Sequence, residues 1–183
     1  MSEPETAHGE KQWYVMRDLK RANAKRPAYL QLQEEGFEVF TPMRWRLSAS
    51  GGRSVRREVP FIPDLLFVHA AREALDPAVA RTSTLQYRFV RGGYCEPMVV
   101  GHGEMERFIR AVRSTDSPRF YLPGEVTPSM LGRRIRVVGG PLDDCEGRLI
   151  AVKGTRARHL LVELPSLLAV AVRVDDGFIE LIP

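Results

Sequence analysis

Apolar residues recur along this chain in two rhythms, and the rhythm changes near residue 130. The run WYVMRDL from Trp13 joins aromatic and β-branched residues and predicts a first strand. Ala24, Ala28 and Leu32 then recur every fourth position. They predict a helix from an Asn23 cap to about Glu35, with Pro27 in its tolerant first turn and Gly36 as its stop. EVFTPMRWRL and RSVRREVPF flank SASGG, the pattern of a long hairpin with a flexible tip. LLFVHA is apolar almost throughout and predicts a short buried strand. A weak helix near Glu73–Ala80 and strands in LQYRFVR and EPMVV follow. HGEMERFIRAVRS is the clearest helix, with Met105, Phe108, Ile109 and Val112 at i, i+3, i+4 and i+7.

An apolar helical stripe needs a sheet to cover, so residues 11–115 predict an α+β domain, an antiparallel sheet with helices packed on it. DSPRFYLPGEVTPS, residues 116–129, has three prolines and no period, and reads as a linker. Beyond it only short strands recur: RIRVV, GRLIAV, HLLVEL, LAVAVRV and FIELI, several alternating at period two. Five such strands within 130–183 predict a small closed β-barrel. Residues 1–10 are polar and acidic, without the apolar core of a signal peptide, and read as a disordered lead-in.

Composition narrows the class. Hydrophobic residues make up 44% and charged residues 27% of 183, the balance of a globular protein. No apolar run reaches the roughly 18–20 residues that cross a bilayer, so no membrane partner is expected. Cys95 and Cys145 form no disulfide framework, and the four histidines lack metal-ligand spacing. The chain reads as cytoplasmic, with no metal, cofactor or catalytic residue. The net charge of +4 is uneven: residues 1–115 hold 18 Lys and Arg against 14 Asp and Glu, and residues 116–183 hold nine of each. The excess gathers in Lys20, Arg21, Lys25 and Arg26, then between Arg44 and Arg57. Such patches attract polyanions.

The turn GGPLDDCEG could suggest a phosphate loop, but it lacks the GK[ST] ending and leads into a strand. Asp144 and Glu146 flank Cys145 and would raise its thiol pKa, which blunts a nucleophile. A strand-turn-strand remains.

RVVGGPLDDCEGRLIAV, with its glycine at Gly147, resembles the KOW motif that opens an SH3-like β-barrel. The N-terminal run WYVMRDLKRANAKRPAYLQLQEEGFEVFTPMRWR, the glycine-tipped hairpin and VPFIPDLLFV resemble the N-terminal (NGN) domain of the NusG family of transcription elongation factors. The likeness spans about residues 11–183 with motifs in order. IPDLLF, LQYRFVRG, PMVVGHGEMERFI and the LLAVAV strand most resemble specialised antitermination paralogues of the RfaH and UpxY type, which act on long operons, often for surface polysaccharide. Asp64 and Leu65 stand where a general NusG usually shows Gly and Tyr.

The resemblance implies binding to the clamp helices of RNA polymerase through Tyr14, Leu65, Phe67 and Phe89, with Leu65 and Phe89 expected at the surface. It implies contact of Lys20, Arg21 and Arg26 with non-template DNA. The Arg44–Arg57 hairpin could reach upstream DNA, although a solvated hairpin is the simpler reading. In the C-terminal domain, Leu167 and Leu168 would recruit Rho or a ribosomal protein from a loop surface, or else begin the LLAVAV strand and be buried. A general NusG-type factor and a ribosome-associated KOW protein that binds RNA are the alternatives; the neutral charge of 116–183 counts against the second.

Overall fold

The computed structural model describes residues 9–20, 26–175 and 178–183. Contacts divide the chain into two compact units, Met1–His102 and Gly103–Pro183.

In the first unit, β1 (Gln12–Asp18) is central. It pairs antiparallel with β5 (Leu65–Ala70), which carries β2 (Glu38–Phe40) on its far edge. The other edge of β1 is shared by β6 (Leu85–Tyr87) and β7 (Val99–Val100). Helices α1 (Ala28–Glu34) and α2 (Arg72–Arg81) cover one face. Tyr14, Met16, Leu66, Val68 and Ala70 point there at the period of two that strands impose, and meet Ala28, Leu32, Leu75 and Ala78. Each large side chain so buried contributes about 1.5–3 kcal/mol. The opposite face is buried as well, at Trp13, Val15, Leu65 and Phe67. Both faces of β5 are therefore dry, as its apolar sequence requires.

Helix α1 is shorter than the sequence pattern predicts. Asn23, its expected cap, lies outside the described residues. The cap comes instead from β1: the buried Asp18 carboxylate accepts hydrogen bonds from the backbone N–H of Ala28 at 2.6 Å and of Lys20 at 3.1 Å. Pro27 has no N–H to offer, so the first free donor of the helix is Ala28.

The long hairpin is present as β3 (Met43–Ser50) and β4 (Arg53–Pro60), a two-stranded sheet of its own. Gly51 and Gly52 form its tip at φ +56° and +76°. Positive φ at both central residues belongs to the type I′ turn, whose twist matches the flanking strands. Thr41 and Pro42 separate β3 from β2, so EVF joins β5 and not the hairpin.

The second unit holds α3 (His102–Arg113) from Gly103 onward, then β8 (Arg119–Tyr121), β9 (Leu131–Val137), β10 (Glu146–Ile150), β11 (His159–Leu164), β12 (Leu168–Arg173) and β13 (Ile179–Leu181). Met105, Phe108 and Ala111 are the buried stripe of α3, and Phe108 packs on Phe120 of β8 at 6.5 Å between centroids. Here the SH3-like β-barrel expected from the sequence is corrected. The six strands lie in the order β13-β9-β10-β11-β12-β8, and among the described residues no sheet closes on itself. The reason lies at the edges. β13 occupies the free edge of β9, and β8 occupies that of β12. The two strands that would have to meet each have another partner. The KOW-like stretch is the β9–turn–β10 hairpin of this open sheet.

Candidate functional site

Residues 88–98 leave the first unit's sheet where β6 ends and return where β7 begins. Val15 of β1 anchors both arms: its carbonyl accepts from Arg88 N–H at 2.9 Å, and its N–H donates to Met98 O at 2.9 Å. The arms pair through Met98 N–H to Arg88 O, through a bridge between Phe89 and Pro97, and through Val90 N–H to Glu96 O. The tip, 91–95, turns with Gly92 and Cys95 at positive φ. This hairpin exposes large apolar side chains: Tyr94 is 97% exposed and Phe89 48%, with Val90 also exposed. Neighbouring exposed apolar side chains on one hairpin make it a candidate docking surface.

Of the four apolar residues predicted to meet polymerase, Phe89 is at this surface. Tyr14, Leu65 and Phe67 are buried, Leu65 at 3% exposure although the sequence placed it outside. Tyr14 packs edge-on against Tyr87 at 5.5 Å, and Phe67 lies near Phe40. They brace β1 and β5, from which the hairpin hangs. Burial raises the phenol pKa of Tyr14, and burial followed by the 2.7 Å hydrogen bond to Asp76 raises that of Tyr87 well above the usual range. Both rings stay neutral at physiological pH. Tyr94 and Val90 were missed by sequence reasoning; the signal was a Gly-Gly-Tyr turn directly after an apolar strand.

The basic residues behave differently. Lys20 donates through Nζ to Arg26 O at 3.0 Å, and the Arg26 guanidinium pairs with Glu34. Arg21 lies outside the described residues. In the second unit Pro165, Ser166 and Leu167 turn the chain from β11 to β12, with Ser166 at φ +61°. Leu167 and Leu168 point inward and are buried, so neither offers an apolar handle at the surface.

Around the β9–β10 turn, Arg136 Nη2 meets Glu146 Oε1 at 2.6 Å, opposite it in register. That hydrogen bond chiefly lowers the Glu146 pKa. Cys145 beside it is buried, and burial raises its thiol pKa more than Arg110 and Arg107 lower it. The acidic neighbours contribute least: the thiol is blunted chiefly by burial, and Asp144, expected from the sequence to raise it, adds only a smaller rise. Among the described residues no group of three or more His, Cys, Asp or Glu side chains could hold a metal, and no helix is long and apolar enough to cross a membrane.

A family model described as "Transcription termination factor nusG" matches residues 11–109, more than half of the chain and the whole of the hairpin and its anchor. The chain belongs to the NusG family. As a NusG-type protein it is a transcription factor and not an enzyme. Among solved structures, the one reported as "Domain interaction in Thermotoga maritima NusG" matches over 95% of this chain and 98% of that one, with a TM-score of 0.51 and 18% identity. At that identity the likeness is one of fold. No curated protein sequence matches this NusG-family chain.

Proposed function

We propose that this protein binds RNA polymerase through the apolar side chains of the 88–98 hairpin and acts as a specialised elongation and antitermination factor on long operons in the cytoplasm. The observation that carries the reading is the exposure of Tyr94 and Phe89 on a hairpin anchored to β1, within the residues matched to the family. A helix tip such as that of the polymerase clamp would bury these rings, and a few desolvated aromatic anchors supply most of the affinity of such contacts. Preferential binding to the closed form of polymerase would then disfavour pausing by population shift.

The specialised role, with surface-polysaccharide operons as targets, rests on the resemblance of IPDLLF, LQYRFVRG, PMVVGHGEMERFI and LLAVAV, and on Asp64 and Leu65 standing where a general NusG usually shows Gly and Tyr. Asp64 pairs with Arg17 at 3.0 Å, and Leu65 fills the core, so both residues serve this chain's own packing at the entry to β5. Lys20, with Arg21 and Arg26, is the proposed contact to the non-template strand. Glu34 offsets the charge of Arg26 and leaves Lys20 as the principal cation among the described two. Recruitment of Rho or a ribosomal protein by the second unit would use surfaces other than Leu167 and Leu168.

Single-round transcription with purified polymerase, on a template holding a pause and a terminator, tests the reading. The wild type should shorten the pause and raise read-through, and Phe89→Asp should do neither. Increased termination by the wild type would instead support a factor of the general termination type.

A further inference from the structure

In the second unit a cavity of about 400 Å³ opens between the start of β9, the end of β10 and the turn 155–159 that leads into β11. An irregularity in strand pairing makes room for it. Arg148 lies opposite Arg134 and Ile150 opposite Leu131, so Leu149 alone faces both Gly132 and Arg133. One extra residue on one strand is a β-bulge, which bends the pair and is common beside functional sites. Gly132 lines the cavity, and a Cβ there would stand 3.2 Å from Leu149 Cβ, closer than ordinary contact. The floor is the unit's own core: Met130, Leu131, Ile150 and Val152 belong to one apolar cluster with Leu161.

The titratable groups of the lining are Arg156, Arg158 and His159, with no carboxylate among them. Both arginines are exposed, and Arg156 meets no carboxylate among the described residues. His159 is buried. Its Nδ1 lies 2.9 Å from the Ala157 carbonyl, which can only accept, so Nδ1 carries a proton and donates. In the neutral ring Nε2 is then an acceptor. The turn that holds these groups is tied down beforehand. Thr155 Oγ1 accepts from Ala157 N–H at 3.0 Å, Thr155 N–H donates to Val152 O at 3.3 Å, and Arg119 of β8 donates to Lys153 O at 3.2 Å. A site ordered before binding loses less freedom when its ligand arrives.

We infer that this cavity binds a nucleoside monophosphate, with its phosphate on the arginines, a sugar hydroxyl donating to His159 Nε2 and the base against the apolar floor. The volume falls within the range of about 300–1,000 Å³ for small-ligand sites, and an apolar lining with a few polar groups is their usual makeup. Each part of the ligand answers one feature. The lining holds guanidiniums and no carboxylate, so it calls for an anion. A phosphate suits two arginines better than a carboxylate does: three terminal oxygens can engage both forks, whereas two are satisfied by one. Inorganic phosphate alone would leave the floor and His159 unused. A fatty acid would cover the floor but bring no donor to Nε2, and an unmet polar group in a buried setting is costly. Strands of RNA are held on successive aromatic platforms, and the lining contains no Phe, Tyr or Trp.

The inference goes beyond polymerase binding and does not rest on it, because the cavity lies in the second unit and the test contains no polymerase. Full-length protein is titrated with the 5′-monophosphates of adenosine, guanosine, cytidine and uridine by calorimetry, and amide correlation spectra locate the site. At least one should bind with Kd below about 1 mM and shift the amides of Gly132, Ala151, Ala157 and His159. The matching nucleoside and inorganic phosphate should each bind at least about tenfold more weakly, since each lacks part of the contact. Arg156→Gln, at an exposed position, should weaken binding at least about tenfold, the scale of a charge-assisted hydrogen bond. Arg113→Gln removes the same charge from α3, outside the lining, and should change affinity less than about twofold. Circular dichroism melts confirm that both variants fold. No binding by any of the four at about 1 mM would overturn the inference. So would equal binding of inorganic phosphate, equal losses in the two variants, or shifts confined to residues outside the cavity. Tighter binding of an unstructured oligoribonucleotide at the same amides would make this a strand-binding surface and overturn it too.

Discussion

At Gly147 the backbone of β10 runs so close to β11 that a Cβ would stand 2.2 Å from the Leu161 carbonyl oxygen and 2.7 Å from Leu160 Cδ1. Gly147 is conspicuous in the sequence as the glycine of a KOW-like stretch, but the contact that demands it is 14 residues away and invisible there. Gly147→Ala should destabilise the protein by about 3 kcal/mol, the upper end of the cost of overpacking, measured by urea unfolding. Unchanged stability would mean that β10 and β11 do not approach as described. Leu65 teaches the opposite lesson. Its run LLFVHA predicts a strand dry on both faces, and that is what forms. Carrying Leu65 to the surface by resemblance set aside what the apolar pattern already said. Phe89 is expected at the surface by resemblance and is exposed there, whereas the near-complete exposure of Tyr94 depends on how the hairpin 88–98 leaves the sheet.

At the scale of elements, strong local signals were readable and long-range ones were not. The amphipathic stripe gave α3, and the glycine pair gave the β3–β4 hairpin. The start of α1 was misjudged because its described cap, Asp18, belongs to a strand ten residues earlier. Asp18→Ala removes the acceptor for Ala28 N–H in a buried setting, which should cost about 1–3 kcal/mol. Thermal melting, with amide exchange at Ala28, would register both the loss and its place; a melt equal to wild type would deny Asp18 this role. Barrel closure is not legible in the sequence for a related reason. Period-two alternation reveals strands and their faces, but closure depends on which edges meet, and no periodicity encodes that. β8 is three residues, RFY, set among prolines in a stretch that reads as a linker, too short to show a pattern. Yet it takes the edge of β12 and helps keep the sheet open.

At the scale of the molecule, the chain is a NusG-family transcription factor of two compact units. In the first, a dry sheet carries two projections of different chemistry: an apolar hairpin at 88–98 and an arginine-rich hairpin at 43–60. Composition alone could not separate these, because an average over the unit blends an apolar tip with a basic hairpin. The pairing of the strands separates them. The central claim is that the apolar hairpin is the polymerase contact, and a binding measurement tests it most directly. Wild-type protein, Phe89→Asp and Tyr94→Asp would each be titrated onto purified RNA polymerase, with melting curves to establish that the variants fold. Both side chains are exposed, so the substitutions should leave stability within about 0.5 kcal/mol. The account predicts that wild type binds and that each folded variant loses at least about tenfold in affinity, the scale of an aromatic anchor. Folded variants that bind as tightly as wild type would contradict it.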